Sequence, residues 1–141
     1  MQLTPVIAVH MTAAIAAVAI AAVAIGPVAL WARRGARPRP RLHRAFGYAW
    51  VTLMVVTATS AVFIRDFELP NIGGYTPIHL LVPATLLGLF GAFWKLAHRD
   101  IAGHRLVMRH LYFWACIVAG AFTLLPRRYL GQQVWAQLGL L

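Results

Sequence analysis

Four long apolar stretches constrain this sequence more than any other feature. They run from about residue 5 to 31, 45 to 64, 78 to 97 and 106 to 125. About 20 apolar residues suffice for a helix to cross the hydrocarbon core of a bilayer, where only helices and closed barrels satisfy the backbone. The pattern therefore predicts an all-α fold. We expect a single membrane domain over residues 1–141, built as a bundle of four transmembrane helices.

The two ends of the chain need separate interpretations. The first stretch is not preceded by a basic region, and it is longer than the roughly 7–15 apolar residues of a signal peptide. We therefore expect it to be a retained span rather than a cleaved leader. Residues 126–141 are too short to cross the bilayer, so we expect this segment to lie along the membrane interface.

The composition supports a membrane protein and argues against a nucleic-acid partner. The chain is 61% hydrophobic and 11% charged, with a mean hydropathy of +0.72, whereas a soluble domain carries about 25% charged residues. Thirteen Lys and Arg against three Asp and Glu give a net charge of +10. Because these cations occupy short stretches between apolar segments, they indicate membrane topology rather than binding to nucleic acid.

The distribution of the cations predicts the orientation. Ten of them belong to the turn after the first stretch and the turn after the third: Arg33, Arg34, Arg37, Arg39, Arg41, Arg44, Lys95, Arg99, Arg105 and Arg109. The opposite face holds Arg65, Arg127 and Arg128, offset by Asp66 and Glu68. Cytoplasmic loops collect Lys and Arg. We therefore expect both termini to lie on the outer side of the membrane.

The two halves of the chain resemble each other. Each half has a Thr-Pro step before a histidine, and a His-Arg step near the start of its second apolar stretch: Thr4-Pro5 and His10 with Thr76-Pro77 and His79, and His43-Arg44 with His104-Arg105. This repeat predicts two similar helical hairpins of the same orientation.

The repeated histidines are the candidate functional residues. Two imidazoles that face each other inside a helical bundle can supply both axial ligands of a b-type haem. By depth, His10 pairs with His79 near the outer face, and His43 pairs with His104 or His110 near the inner face. Arg44 and Arg105 directly follow two of these histidines, so we expect them to hold haem propionates.

Other interpretations of the same residues stay open. Small residues in membrane helices commonly serve close packing alone. A histidine at the start of a membrane helix lies in the polar interface, where it costs little free energy and needs no ligand. A histidine pair without a carboxylate also suits copper or zinc. The absence of any cofactor remains an alternative, and no catalytic residue is identified.

Three motifs carry a resemblance to a known family. They are the run from Thr76 to Leu81, His104-Arg105 with Met108 and Arg109, and the run from Ala119 to Pro126 with Arg128. With His10 and the stretch from Leu42 to Gly47, they resemble the bacterial domain-of-unknown-function 2306 family over almost the whole chain. The resemblance implies a small four-helix protein of the bacterial inner membrane and supplies no activity. With the orientation expected from the charges, both termini would lie in the periplasm.

These observations lead to two functional hypotheses. The first is a membrane redox protein, similar to a cytochrome b oxidoreductase, that binds one or two b haems and moves electrons across or within the membrane. A quinone or another membrane complex would be its redox partner, and whether it is an enzyme is left open. The alternative is a non-catalytic accessory subunit or assembly factor of a larger respiratory-type complex.

Overall fold

The chain is helical wherever its structure is described. A computed structural model describes residues 3–33, 40–67, 70–126 and 128–140, and within these ranges there is no β-strand. The helices are α1 (Pro5–Arg33), α2 (Pro40–Ala61), a 3-10 helix (Pro77–Leu80), α3 (Leu81–Ala97), α4 (Ile101–Leu111), a π-helix (Tyr112–Val118), α5 (Ala119–Thr123) and α6 (Tyr129–Gln137). The all-α prediction is confirmed.

Three helical segments are long and apolar enough to cross a membrane: Pro5–Ala22, Pro77–Ala97 and Ile101–Thr123. Helix α2 is not among them, because it begins with basic residues and carries several hydroxyls. Three of those hydroxyls are bonded to carbonyls of their own helix, Thr52 to Tyr48, Thr59 to Val55 and Ser60 to Val56, whereas the buried hydroxyl of Thr57 has no hydrogen-bond partner among the residues that the structure describes. Such bonds satisfy the hydroxyl without a partner from water or another helix.

The four long helical segments pack around one apolar core. Helix α1 packs against α2, α2 against α3, and α3 against α4, while α1 also reaches the π-helix. The buried cluster at the centre takes residues from all of these segments: Ala17, Ala21, Trp50, Met54, Leu89, Leu111 and Cys116. Alanines on α1 let its backbone approach the neighbouring helices closely.

Helices α4 and α5 are joined through the π-helix without a break. The junction places Leu111 and Cys116 in the core, at 7% and 4% exposure. A Cβ added to Gly88 would lie 2.6 Å from Leu111 Cδ2, so the glycine makes room for this leucine. Single turns of π-helix within longer helices often occur at functional sites.

A short turn connects α3 to α4 and is fixed by one carboxylate. Asp100 caps α4 by accepting a hydrogen bond of 2.8 Å from the backbone N–H of Gly103, and Lys95 Nζ lies 3.0 Å from its Oδ2. These two contacts hold the pKa of Asp100 below its ordinary value, and the hydrogen bond from the backbone of Gly103 has the larger effect. Arg99 takes a φ of 60° to close the turn.

The loop between α2 and α3 folds back on itself. The N–H of Asp66 donates to the carbonyl of Gly74, whose φ is 85°. The guanidinium of Arg65 lies 4.0 Å from the centre of the Tyr75 ring, and the Tyr75 hydroxyl donates to the carbonyl of Val62.

Five residues whose charges entered the orientation prediction lie outside the described ranges: Arg34, Arg37, Arg39, Glu68 and Arg127.

Helix α6 packs against the end of α5. Trp135 Nε1 donates to the carbonyl of Leu124 at 2.7 Å. Gly131 is buried, and a Cβ added there would collide with the carbonyl oxygen of Leu125. Tyr129 and Arg128 lie two and three positions before this glycine, in the same folded corner.

The Gly131→Ala variant tests this corner. We expect it to lower the free energy of unfolding by about 1–3 kcal/mol, because an added methyl group in a packed site forces the backbone apart. Gly47→Ala is the matched control, since a Cβ at that helical glycine meets nothing within 4 Å. Denaturation of both variants in detergent, followed by circular dichroism, provides the measurement. Equal stability of the two variants would contradict the close packing of α6.

Candidate functional site

A cavity of about 510 Å³ lies between the helices near His10, and we call it the His10 cavity. Most of its wall is aliphatic, and the apolar lining includes Ile7, Met11, Val18, Met54, Leu81 and Val82. Eight polar or ionisable residues also reach it: His10, Thr57, His79, Thr85, Cys116, Thr123, Arg128 and Tyr129. A mostly apolar cavity with a few polar groups is typical of a small-molecule or cofactor site.

His10 is half-buried on α1 and is oriented by α2. Its Nδ1 lies 3.0 Å from the carbonyl oxygen of Thr57 and 3.1 Å from Ser60 Oγ. Because a carbonyl oxygen only accepts, Nδ1 carries the proton. In the neutral ring, Nε2 is therefore the nitrogen with the free lone pair, and within the described residues it has no hydrogen-bond partner. His10 can use this lone pair to bind a metal or accept a proton.

His79 lines the same cavity with both ring nitrogens engaged. Its Nδ1 accepts a hydrogen bond of 3.1 Å from the backbone N–H of Thr76. Its Nε2 lies 2.9 Å from the carbonyl oxygen of Ile64 and therefore carries the proton. The ring also meets Tyr75 edge-on, with centroids 5.1 Å apart. In this arrangement His79 ties the start of the third span to the end of α2 and has no free lone pair.

The structure brings together only one of the two predicted histidine pairs. His10 and His79 share a cavity. His104 is half-buried, and its Nδ1 donates to the carbonyl of Ala92 at 2.9 Å, while His43 and His110 are exposed. No contact joins His43 to His104 or His110 among the described residues.

The cavity contains a different arginine from those predicted to hold propionates. Arg44 and Arg105 are exposed and do not line it. Arg128 does line it, with a side chain 14% exposed. Its Nη1 pairs with Asp66, and its Cζ lies 4.6 Å from the centre of the Phe122 ring. Nε and Nη2 are buried without a hydrogen-bond partner in the described structure.

A family model now accounts for most of the sequence. The model of a predicted membrane protein family, DUF2306, matches residues 7–131. The chain belongs to the DUF2306 family. No curated protein and no solved structure shows a significant match to it. The matched range contains every residue of the His10 cavity described above.

The metal-binding capacity of this DUF2306 protein is limited in the described ranges. They contain no group of three or more His, Cys, Asp and Glu side chains that could hold an ion. Cys116 Sγ lies 3.8 Å from Met54 Sδ at the wall of the cavity, but as a buried core contact. His10 is thus a candidate ligand to a metal that brings its other ligands with it, as haem iron does.

Three polar residues of the DUF2306 site did not emerge from the sequence. Thr57 and Ser60 orient His10. The sequence feature that could have indicated them is the pair of hydroxyl residues three positions apart, on one face of a helix. Arg128 was noted only as an outer cation and as part of a family motif. Its partner Asp66 lies 62 positions away, so nothing local in the sequence indicates that the two are paired.

Replacement of His79 tests its structural role in this DUF2306 protein. We expect His79→Ala to lower the free energy of unfolding by about 1–3 kcal/mol, because the N–H of Thr76 and the carbonyl of Ile64 lose a half-buried partner. His98→Ala is a matched control. Its Nδ1 also donates to a carbonyl, that of Trp94 at 2.9 Å, but in an exposed turn where water replaces the ring. Equal effects in denaturation experiments would refute this role.

Proposed function

We propose that the chain spans the membrane four times, with both termini on the outer side. Three segments are apolar enough by themselves. Helix α2 is more polar, but Thr52, Thr59 and Ser60 donate to carbonyls of their own helix, and Trp50, Met54 and Ala58 are buried against its neighbours. The positive-inside rule then assigns the Arg-rich turns to the cytoplasm.

Single cysteines test this topology. In a Cys116→Ala background, Ile72→Cys marks the α2–α3 loop, where the side chain is 88% exposed. Ala102→Cys marks the exposed start of α4 at the opposite end. We expect a membrane-impermeant maleimide to label the Ile72→Cys variant in intact spheroplasts and the Ala102→Cys variant only after lysis. The reverse pattern would overturn the orientation.

We propose further that the protein is a membrane redox protein holding one b-type haem in the His10 cavity, with His10 as an axial ligand. The observation that carries this proposal is the hydrogen bond from His10 Nδ1 to the carbonyl of Thr57. Metal-ligating histidines almost always donate their other ring N–H to a carbonyl or carboxylate, which fixes the ring and makes the free nitrogen more basic. His10 has this arrangement before any ligand is added.

The rest of the cavity supports the same proposal. Its volume of about 510 Å³ falls within the range of roughly 300–1,000 Å³ common for ligand sites. Its wall is mostly apolar, and the alanines of α1 with Ala119 and Gly120 of α5 leave room for a flat ring system. When bound, haem supplies reversible one-electron transfer. His79 then forms part of the wall, since both its nitrogens are engaged.

The proposal is restricted to one haem. His43 and His110 are exposed, and none of the three inner histidines, His104 included, lines the His10 cavity. Electrons would therefore pass between this haem and a quinone or another membrane complex, rather than between two haems of one chain.

An accessory subunit or assembly factor is the second candidate. It is favoured by large apolar side chains in and beside the α2–α3 loop, where Phe63, Phe67 and Ile72 are 73%, 72% and 88% exposed. Such residues beyond the end of a span suit contact with another membrane protein. Stoichiometric co-purification of a partner with a haem-free chain would favour this candidate.

A visible spectrum distinguishes the candidates. With haem supplied during expression, we expect purified wild type to show a Soret band that shifts on reduction. His10→Ala should lose it because the axial ligand is gone, whereas His79→Ala and the control His98→Ala should retain it. Circular dichroism of each variant verifies that the helices are intact. A wild-type protein without a Soret band would refute the haem proposal.

A further inference from the structure

Arg128 occupies an unusual position for a guanidinium. Its side chain and that of Asp66 are 14% and 10% exposed, so their ion pair is largely removed from solvent. The pair uses only Nη1. Nε and Nη2, on the other edge of the group, are buried without a hydrogen-bond acceptor among the described residues. One face of the group lies against the Phe122 ring.

Two unpaired N–H groups on one edge of a guanidinium indicate a missing acceptor. Leaving buried donors unsatisfied is costly, and burial of charge is tolerated when every donor is paired. The Nε and Nη2 hydrogens of arginine are parallel and match the two oxygens of a carboxylate. Because Arg128 also lines the His10 cavity, an occupant of that cavity can supply the missing acceptor once the side chain turns this edge toward it.

We infer that the Nε–Nη2 edge of Arg128 is the anchor for a carboxylate of the molecule bound in the His10 cavity. The inference rests on the proposed function for the identity of that molecule: with haem, the carboxylate is a propionate. Asp66 holds the guanidinium through Nη1 and leaves the opposite edge for the ligand. The cavity thereby recognises an acidic amphiphile, with an apolar body along the aliphatic wall and a carboxylate at Arg128.

A comparison of haem with its dimethyl ester tests the anchor. The ester has the same ring and iron but no carboxylate, and both are titrated into apo protein in detergent. We expect wild type to bind the free acid about tenfold to a hundredfold more tightly than the ester, as for a hydrogen bond to a charged group. Arg128→Gln should lose most of this preference while keeping the position of the Soret band, which reports on His10.

The matched control is Arg65→Gln. Arg65 lies at the same end of the molecule and contacts Tyr75, but it does not line the cavity, so this variant should keep the full preference for the free acid. The wild-type comparison needs no substitution and therefore stands even if Arg128→Gln folds poorly. Equal binding of acid and ester by wild type, or an undiminished preference in folded Arg128→Gln, would overturn the inference.

Failure of the proposed function has a different signature. If wild type binds neither form of haem, the haem proposal falls, and palmitate and methyl palmitate become the probes of the anchor. Binding of palmitate over its ester by wild type, lost in Arg128→Gln and kept in Arg65→Gln, would support a carboxylate anchor for a different amphiphile. Absence of that preference would overturn the anchor as well.

Discussion

The hydrocarbon core of a bilayer offers no water to a polar group, so each one must find a partner within the protein. Three histidines meet this constraint by donating a ring N–H to a backbone carbonyl of a neighbouring segment. His10 joins α1 to α2, His79 joins the 3-10 helix to the turn after α2, and His104 joins α4 to α3. The imidazoles therefore connect successive helices, and the cavity lies beside two of these connections.

The same constraint gives two similar residues different chemistry. His10 and His79 occupy equivalent places in the sequence repeat, yet their protons lie on opposite nitrogens. Donation from Nδ1 leaves Nε2 of His10 free, whereas both ring nitrogens of His79 are hydrogen-bonded to the backbone of the loop that it closes. One histidine thus remains chemically available, and the other keeps the wall of the site in place.

Features of the fold that leave a local pattern could be predicted from the sequence. Features of the site that depend on contacts with a distant part of the backbone could not. Hydropathy predicted the helical class, and the motifs around His79, His104 and Ala119 indicated the family. The free nitrogen of His10, by contrast, depends on a carbonyl 47 positions away, and the engagement of His79 on one 15 positions away. Arg128 was overlooked as a site residue for the same reason, while Arg44 and Arg105 drew attention only because each follows a histidine.

The π-helix at Tyr112–Val118 lies between two parts of one long helix, one that packs in the core and one that lines the cavity. The residues before it set the contact between Leu111 and the notch at Gly88, and those after it, Ala119 and Gly120, face the cavity. Because its turns are wider, the π-helix holds one residue more than an α-helix that rotates as far. The parts of the helix before and after it therefore do not share one α-helical register. Conversion of this segment to a continuous α-helix at unchanged length would rotate everything downstream by about 100°, the rotation of one α-helical residue. The wider turns of this segment thus determine which side chains at the end of the helix border the cavity.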